Sequence, residues 1–178
     1  MKTSDLILHS CCAPCAGGCV AFLLANERVP LLFFSNSNLC SKEEFDKRLA
    51  SVKKLAGIYG LELLVDPYDH TAWLDAVKGL ENEPEKGERC KKCFAFSLAR
   101  TAEIAHRYGR GFATTLTVSP HKNSAVIFEA AGEDELFEKI DFKKGGNYQV
   151  SCRIAAENEF YRQKFCGCEF SLDPGKKR

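Results

Sequence analysis

The sequence predicts an α/β fold, a parallel sheet flanked by helices with helical additions at its C-terminal side. Short apolar runs at 6–8, 31–34 and 61–65 alternate with segments of helical spacing. That alternation is the pattern of βαβ units whose strands are covered on both faces. The polar, chemically loaded stretches also fall where these runs end. In open α/β sheets the ligand crevice lies there, beyond the carboxyl ends of the strands.

The first run, Leu6-Ile7-Leu8, leads directly into His9-Ser10-Cys11-Cys12. Pro14 stands where a helix can begin, and 20–24 is apolar enough to pack, although Gly17-Gly18 weakens the helix locally. After Pro30, Leu31-Leu32-Phe33-Phe34 is a second strand ending in Ser35-Asn36-Ser37-Asn38. Ser41 and Glu44 have capping-box spacing. Phe45, Leu49, Val52, Leu55 and Ile58 continue as a helix that Gly60 stops. A third strand at 61–65 ends at Asp66-Pro67. A helix is expected over 68–80 around Trp73, a core residue, and a charged loop over 81–88. Another helix runs over 89–108 to Gly109, and a fourth strand over 111–117 is rich in β-branched residues. After Ser119-Pro120 a helix extends to about residue 131. Ile140-Asp141-Phe142 reads as an edge strand and 154–164 as a helix. No repeat or low-complexity linker interrupts the 178 residues, so the reading is one domain over 1–178.

Hydrophobic residues make up 45% and charged residues 28%, which fits a globular protein able to bury a core. The formal net charge of +1 gives no global basic field for nucleic acid. The terminal Gly175-Lys176-Lys177-Arg178 is a small basic candidate, more simply a solvated tail. No apolar run reaches the length of a bilayer span. The N-terminal MKTSDLILHSCC carries neither a signal-peptide nor an anchor pattern. The expectation is a cytoplasmic protein without a membrane partner, in a compartment where thiols stay reduced.

Ten cysteines in such a chain therefore point to metal or redox chemistry. Cys19, Cys40 and Cys152 are isolated and read as buried and inert. Cys11-Cys12-Ala13-Pro14-Cys15 and Cys90-Lys91-Lys92-Cys93 are clustered. Pairs spaced this closely place two thiolates within reach of one metal or cluster. Cys11, Cys12, Cys90 and Cys93 supply the four thiolates a [4Fe–4S] cluster needs. A structural zinc module competes, but an adjacent pair such as Cys11/Cys12 suits one tetrahedral ion poorly. Cys12-Ala13-Pro14-Cys15 also fits a thiol–disulfide oxidoreductase motif, which would leave the other groups without a role. Cys166-Gly167-Cys168 can pair as a disulfide, bind soft metal or pack. Asp66 and Asp69 are candidates for acid, base or ligand, or simply turn formers around Pro67. Lys122, Arg162 and Arg89 are candidate phosphate contacts.

His-Ser-Cys-Cys-Ala-Pro-Cys at 9–15 resembles the opening motif of the QueH-type epoxyqueuosine reductases. So do Glu88-Arg89-Cys90-Lys91-Lys92-Cys93-Phe94, Thr114-Thr115-Leu116 with Ser119-Pro120-His121-Lys122, and Tyr161-Arg162-Gln163-Lys164-Phe165-Cys166-Gly167-Cys168. The resemblance implies a HUP-like (adenine-nucleotide α-hydrolase-like) three-layer sandwich; no phosphate loop follows the first strand. It implies a tRNA partner carrying epoxyqueuosine in the anticodon and an iron–sulfur-dependent reduction of the epoxide to the alkene of queuosine. It also implies a [4Fe–4S] cluster on Cys11, Cys12, Cys90 and Cys93, an additional mononuclear iron and a separate electron donor. On this chain Cys15 is the first candidate for the second iron, with Cys166 and Cys168 completing that site or forming a redox pair. Asp69, Asp66 and His121 are the candidate proton donors. Phe34, Tyr68 and Arg162 are candidates for stacking on an unpaired base. The segments 34–40 and 147–152 depart from the family pattern, which leaves open a paralogous reductase acting on another substrate.

Overall fold

The computed structural model describes residues 4–172, so the basic run at 175–178 lies outside the described residues. Strands β1 (Leu6–His9), β2 (Pro30–Phe34), β3 (Leu63–Val65) and β4 (Gly111–Thr114) form one parallel sheet in the order β3-β2-β1-β4. Leu6 pairs with Pro30 on one side and Gly111 on the other, and His9 with Phe33 and Thr114. The apolar runs become strands because each side chain finds cover on both faces. Leu6, Leu8, Leu32 and Phe34 point into one core, while Ile7, Leu31, Phe33 and Phe112 point into the other. Each such fully buried side chain contributes roughly 1.5–3 kcal/mol.

Helices α1 (Ala13–Ala25), α2 (Lys42–Tyr59) and α6 (Asn147–Glu157) cover the first face; α4 (Glu88–Tyr108) and α5 (Ser124–Ala131) cover the second. The result is the expected three-layer α/β arrangement. A short helix, α3 (His70–Ala76), packs against α4 through fully buried Trp73. The Ser41 hydroxyl accepts from the Glu44 amide at 3.1 Å, and Gly60 ends α2 with φ 62°.

Several boundaries differ from the expectation, each for a local reason. Gly17 and Gly18 do not weaken α1; they admit α6. A Cβ on Gly18 would overlap the Asn147 carbonyl and the Ser151 hydroxyl. The fourth strand stops at Thr114, because threonine hydroxyls capture the backbone that would have continued it. Thr114 Oγ1 accepts from the Leu116 amide (3.1 Å), and Thr117 Oγ1 donates to the Thr114 carbonyl (3.3 Å), closing a 3₁₀ turn over Thr115–Val118. The expected edge strand at 140–142 is absent among the described residues. The pairing beside β4 is a single bridge between Phe112 and Phe137, while Phe142 is buried in the core. The helix expected at 154–164 runs instead over Asn147–Glu157. Gly145 and Gly146, both at positive φ, turn the chain into its start, and Glu159 at φ 51° lies just past its end. The helix around Trp73 is shorter than expected because Asp69 caps it, accepting from the Ala72 amide at 3.0 Å.

Candidate metal centre

The chain enters the sheet at β1, crosses to β2 through α1 on one face, and returns by α4 on the other face to β4. The connections leaving β1 and β4 therefore diverge and open a crevice at the carboxyl ends of those two neighbours. Cys11 and Cys12 leave β1 into this crevice, and Thr115 to Ser119 leave β4 into it.

The local folding of 10–16 explains why three thiols meet. Cys12 is the extended residue before α1, Pro14 sits in the first turn, and Cys15 follows one turn along. The Sγ atoms of Cys11, Cys12 and Cys15 lie within 4.8 Å of one another. Cys11 is oriented by Thr115, whose hydroxyl accepts from the Cys11 amide (3.3 Å) and donates to its sulfur (3.5 Å). Gln163 reaches in from the C-terminal segment and donates its side-chain amide to Cys12 Sγ at 3.2 Å. The Cys11 sulfur lies 3.8 Å from that of Cys12. Hydrogen bonds from Cys11, Cys15 and Gln163 hold Cys12 well below the usual thiol range against its burial. Cys11 is pushed up by its hydrogen bond to Cys12, and Cys15 by its hydrogen bonds to Cys11 and then Cys12. A thiolate at the start of a helix is also where the helix dipole favours one.

Two adjoining cavities, about 330 and 350 Å³, open beside this group. The first is lined by Cys90, Cys93, Cys166 and Cys168. The second is lined by Cys11, Cys15, Cys93 and Cys166. Cys93 and Cys166 thus stand on both. The structure brings Cys11, Cys12 and Cys15 into one tight group, and sets the Cys90/Cys93 and Cys166/Cys168 pairs around the neighbouring space. The sulfur donors suit a thiophilic metal or cluster, and the buried Gln163 Oε1 has no hydrogen-bond partner among the described residues. Burial, and then the charge of Cys166, push the Cys93 thiol up.

His121 and Lys122 line both cavities. Burial draws the Lys122 amine down, but the sulfurs of Cys166, Cys11, Cys15 and Cys12 outweigh it and hold the amine above its ordinary value. Lys143 fixes this loop by donating to the carbonyls of Thr117 (3.0 Å) and Lys122 (2.9 Å). His9 lies buried beneath, between the Thr114 hydroxyl (2.9 Å) and the Ser35 carbonyl (3.1 Å). Burial lowers its pKa and favours the neutral ring. The carbonyl accepts from Nε2–H, so Nδ1 accepts from the Thr114 hydroxyl.

The other expected participants lie elsewhere or are engaged in structural bonds, with Cys152 and Arg162 the exceptions. Asp66 is buried in an ion pair with Arg100 and accepts from the Ser35 hydroxyl at 2.7 Å. Asp69 caps α3, and neither aspartate lines either cavity. Phe34 is in the core, and Tyr68 packs on Phe45 and His70 while donating to the Leu39 carbonyl. Arg89 borders the first cavity, but its guanidinium is committed to the carbonyls of Leu80, Glu81 and Glu83. Cys19 is fully buried, Cys40 half-buried, and Cys152 lines the second cavity with Tyr148 and Arg162. Tyr148, Arg48 and Cys152 were not legible as site residues. For Arg48 a signal existed, since it falls on the apolar stripe of α2 with Phe45, Val52 and Leu55.

The chain matches the family described as epoxyqueuosine reductase QueH over residues 6–174. It is 34% identical to the epoxyqueuosine reductase QueH of Haemophilus influenzae, over 98% of this chain and 74% of that protein. The Thermotoga maritima protein of the same name is 35% identical, over 94% of this chain and 90% of that one. For the Acinetobacter baylyi protein the identity is 34%, over 96% and 82%. The ordered cysteine motifs, the crevice they line and these matches agree: the chain belongs to the epoxyqueuosine reductase QueH family.

Proposed function

We propose that this chain is a single-domain cytoplasmic reductase that converts epoxyqueuosine in the tRNA anticodon to queuosine, the last step of queuosine biosynthesis. The reaction is a two-electron deoxygenation: epoxide, two electrons and two protons give the alkene and water. The observation that carries the reading is the convergence of Cys11, Cys12 and Cys15 at the β1/β4 crevice, beside a cavity shared with Cys93 and Cys166. Family membership supports the substrate. No helix among the described residues is long and apolar enough to cross a membrane, which is compatible with a tRNA partner.

In this reading Cys11, Cys12, Cys90 and Cys93 would hold a [4Fe–4S] cluster. Cys15, with Cys166 and Cys168, would hold an additional mononuclear iron. When bound, these groups supply single electrons and a Lewis-acidic centre for the epoxide oxygen. The protein's own residues do the rest. The carboxylates of Asp66 and Asp69 are committed to Arg100 and to the α3 amide. Proton delivery to the epoxide oxygen therefore falls to His121, which lines both cavities. Arg162 at the rim of the second cavity suits stacking on an unpaired base.

The test is the anaerobic absorption spectrum of purified protein with iron and sulfide counted on the same sample. A brown protein with about four irons and four sulfides, plus further iron, supports the reading. A colourless chain holding zinc after attempted reconstitution makes the cysteines structural and removes the reductase.

A further inference from the structure

Residues 158–172 contain no helix or strand beyond a 3₁₀ turn at Glu169–Ser171. Yet this strap carries Gln163 to Cys12 and Cys166 to the wall between the cavities. A segment without its own backbone hydrogen-bond pattern must borrow one. It borrows from α2. Arg48, with its side chain 3% exposed, donates Nε to Glu44 at 2.7 Å. Its two terminal nitrogens donate to consecutive carbonyls of the strap, Cys166 at 3.0 Å and Phe165 at 3.4 Å. Its face lies over the Phe165 ring, 5.6 Å from the centroid. The second Glu44 oxygen accepts from the Tyr161 hydroxyl at 2.8 Å, so one buried carboxylate ties both the arginine and the start of the strap. The next carbonyl, Gly167, accepts from the Cys40 amide at 2.9 Å. Gly167 has φ 147°, and a Cβ there would meet Leu39 at 2.5 Å.

We propose that Arg48, braced by Glu44, is a positioning residue that fixes Cys166 between the two cavities. The proposal rests on the reductase reading for the use made of Cys166, but not for the geometry. Three successive carbonyls, 165 to 167, are pinned towards α2 and the loop at 38–40. The peptide planes that set the direction of the Cys166 side chain therefore have no freedom to rotate. A planar guanidinium serves three acceptors in fixed directions, which an ammonium does not. An apolar residue at this stripe position would pack at least as well. The buried charge is accounted for by what it orients.

The experiment is cysteine-by-cysteine alkylation of the purified full chain with iodoacetamide, read by peptide mass. The variants are Arg48→Lys and the double Glu44→Gln with Arg48→Gln, which removes both charges so that neither is left buried and unpaired. Fully buried Cys19 serves as the internal reference for the fold. In both variants Cys166 is expected to react about tenfold faster, with Cys19 unchanged, the size expected for losing a charge-assisted hydrogen bond. In turnover kcat falls by a similar factor while KM moves by less than about twofold. A Cys166 rate within about twofold of the parent in both variants overturns the proposal. So does Cys19 accelerating in step with Cys166 in both, since Arg48 would then serve the whole fold. The thiol rates need no substrate or electron donor, so a chain acting on some other substrate would fail the reductase reading and leave this test standing.

Discussion

Cys11 and Cys12 bridge the end of β1 and the start of α1, and Cys15 stands in the first turn of that helix, so regular elements hold the group on both sides. Cys166 and Cys168 stand on a strap with almost none, tied down by Arg48, the Cys40 amide and the Ser171 hydroxyl. The first wall is laid down by local sequence, a buried strand, an extended residue and a proline at the helix start, and is then trimmed by Thr115, Ser151 and Gln163. The second depends most on Arg48, a side chain more than a hundred residues away. Precision at the first wall comes from secondary structure, and at the second from a few charge-assisted bonds. The two should therefore fail differently when perturbed.

The harshest way to break the contrast is at the first wall itself. Cys11→Ser or Cys12→Ser should abolish activity by more than the ~100-fold typical of losing a supporting hydrogen bond to a metal ligand. Bound iron should be lost in parallel, with the melting temperature as the control for folding. Next comes the packing beneath that wall. Gly18→Ala, which would drive a methyl into Asn147 and Ser151, should cost about 1–3 kcal/mol in denaturant unfolding. Gly57→Ala, on the exposed face of α2 with no atom within 4 Å of the added carbon, should instead gain up to about 1 kcal/mol. Equal effects at the two glycines would remove the role given to the α1–α6 contact.

Smaller effects probe the links between the walls. Gln163→Leu removes the amide on Cys12 and should lower kcat about tenfold with little change in melting temperature. The smallest concerns the loop bearing His121 and Lys122. Burial raises the Asp141 carboxyl, but the Ser124 hydroxyl, the Lys143 amide and the charges of Lys143 and Lys144 outweigh it and hold it below the ordinary value. A depressed folded pKa stabilises above the unfolded value and is lost as pH falls through the folded one. Asp141→Asn should therefore flatten the acid limb of a melting-temperature profile below about pH 4. An unchanged limb would mean that Asp141 does not brace this loop.

The sheet, its flanking helices and the crevice were legible because each rests on a local signal: an apolar run, a cap, a breaker. The cysteine groups were legible from spacing alone. The meeting of Cys15 with Cys11 and Cys12 needed the start of α1 placed to the residue, since only a helical turn brings 12 and 15 to one side. Tyr148 and Cys152 were hidden for another reason. Their helix reaches the cavity because Gly18 lets it dock on α1, a contact across more than a hundred residues that no window of sequence contains. The boundaries of α6 slipped because Gly145 and Gly146 read as a loop rather than as the turn that starts it. Asp66 and Asp69 looked chemical at a strand end, but a capping bond and an arginine had already claimed them.

The Ser151 hydroxyl accepts from the Gly18 amide at 2.9 Å and donates to the Cys15 carbonyl at 3.1 Å. It therefore has a consequence for the order of synthesis. The first three cysteines leave the ribosome early, but the bonds that set the Cys15 turn come from a residue 136 positions later. A nascent chain released from the exit tunnel only as far as β4 carries the thiols without their finished geometry. Loading of any metal into that geometry belongs after the last third of the chain has been made.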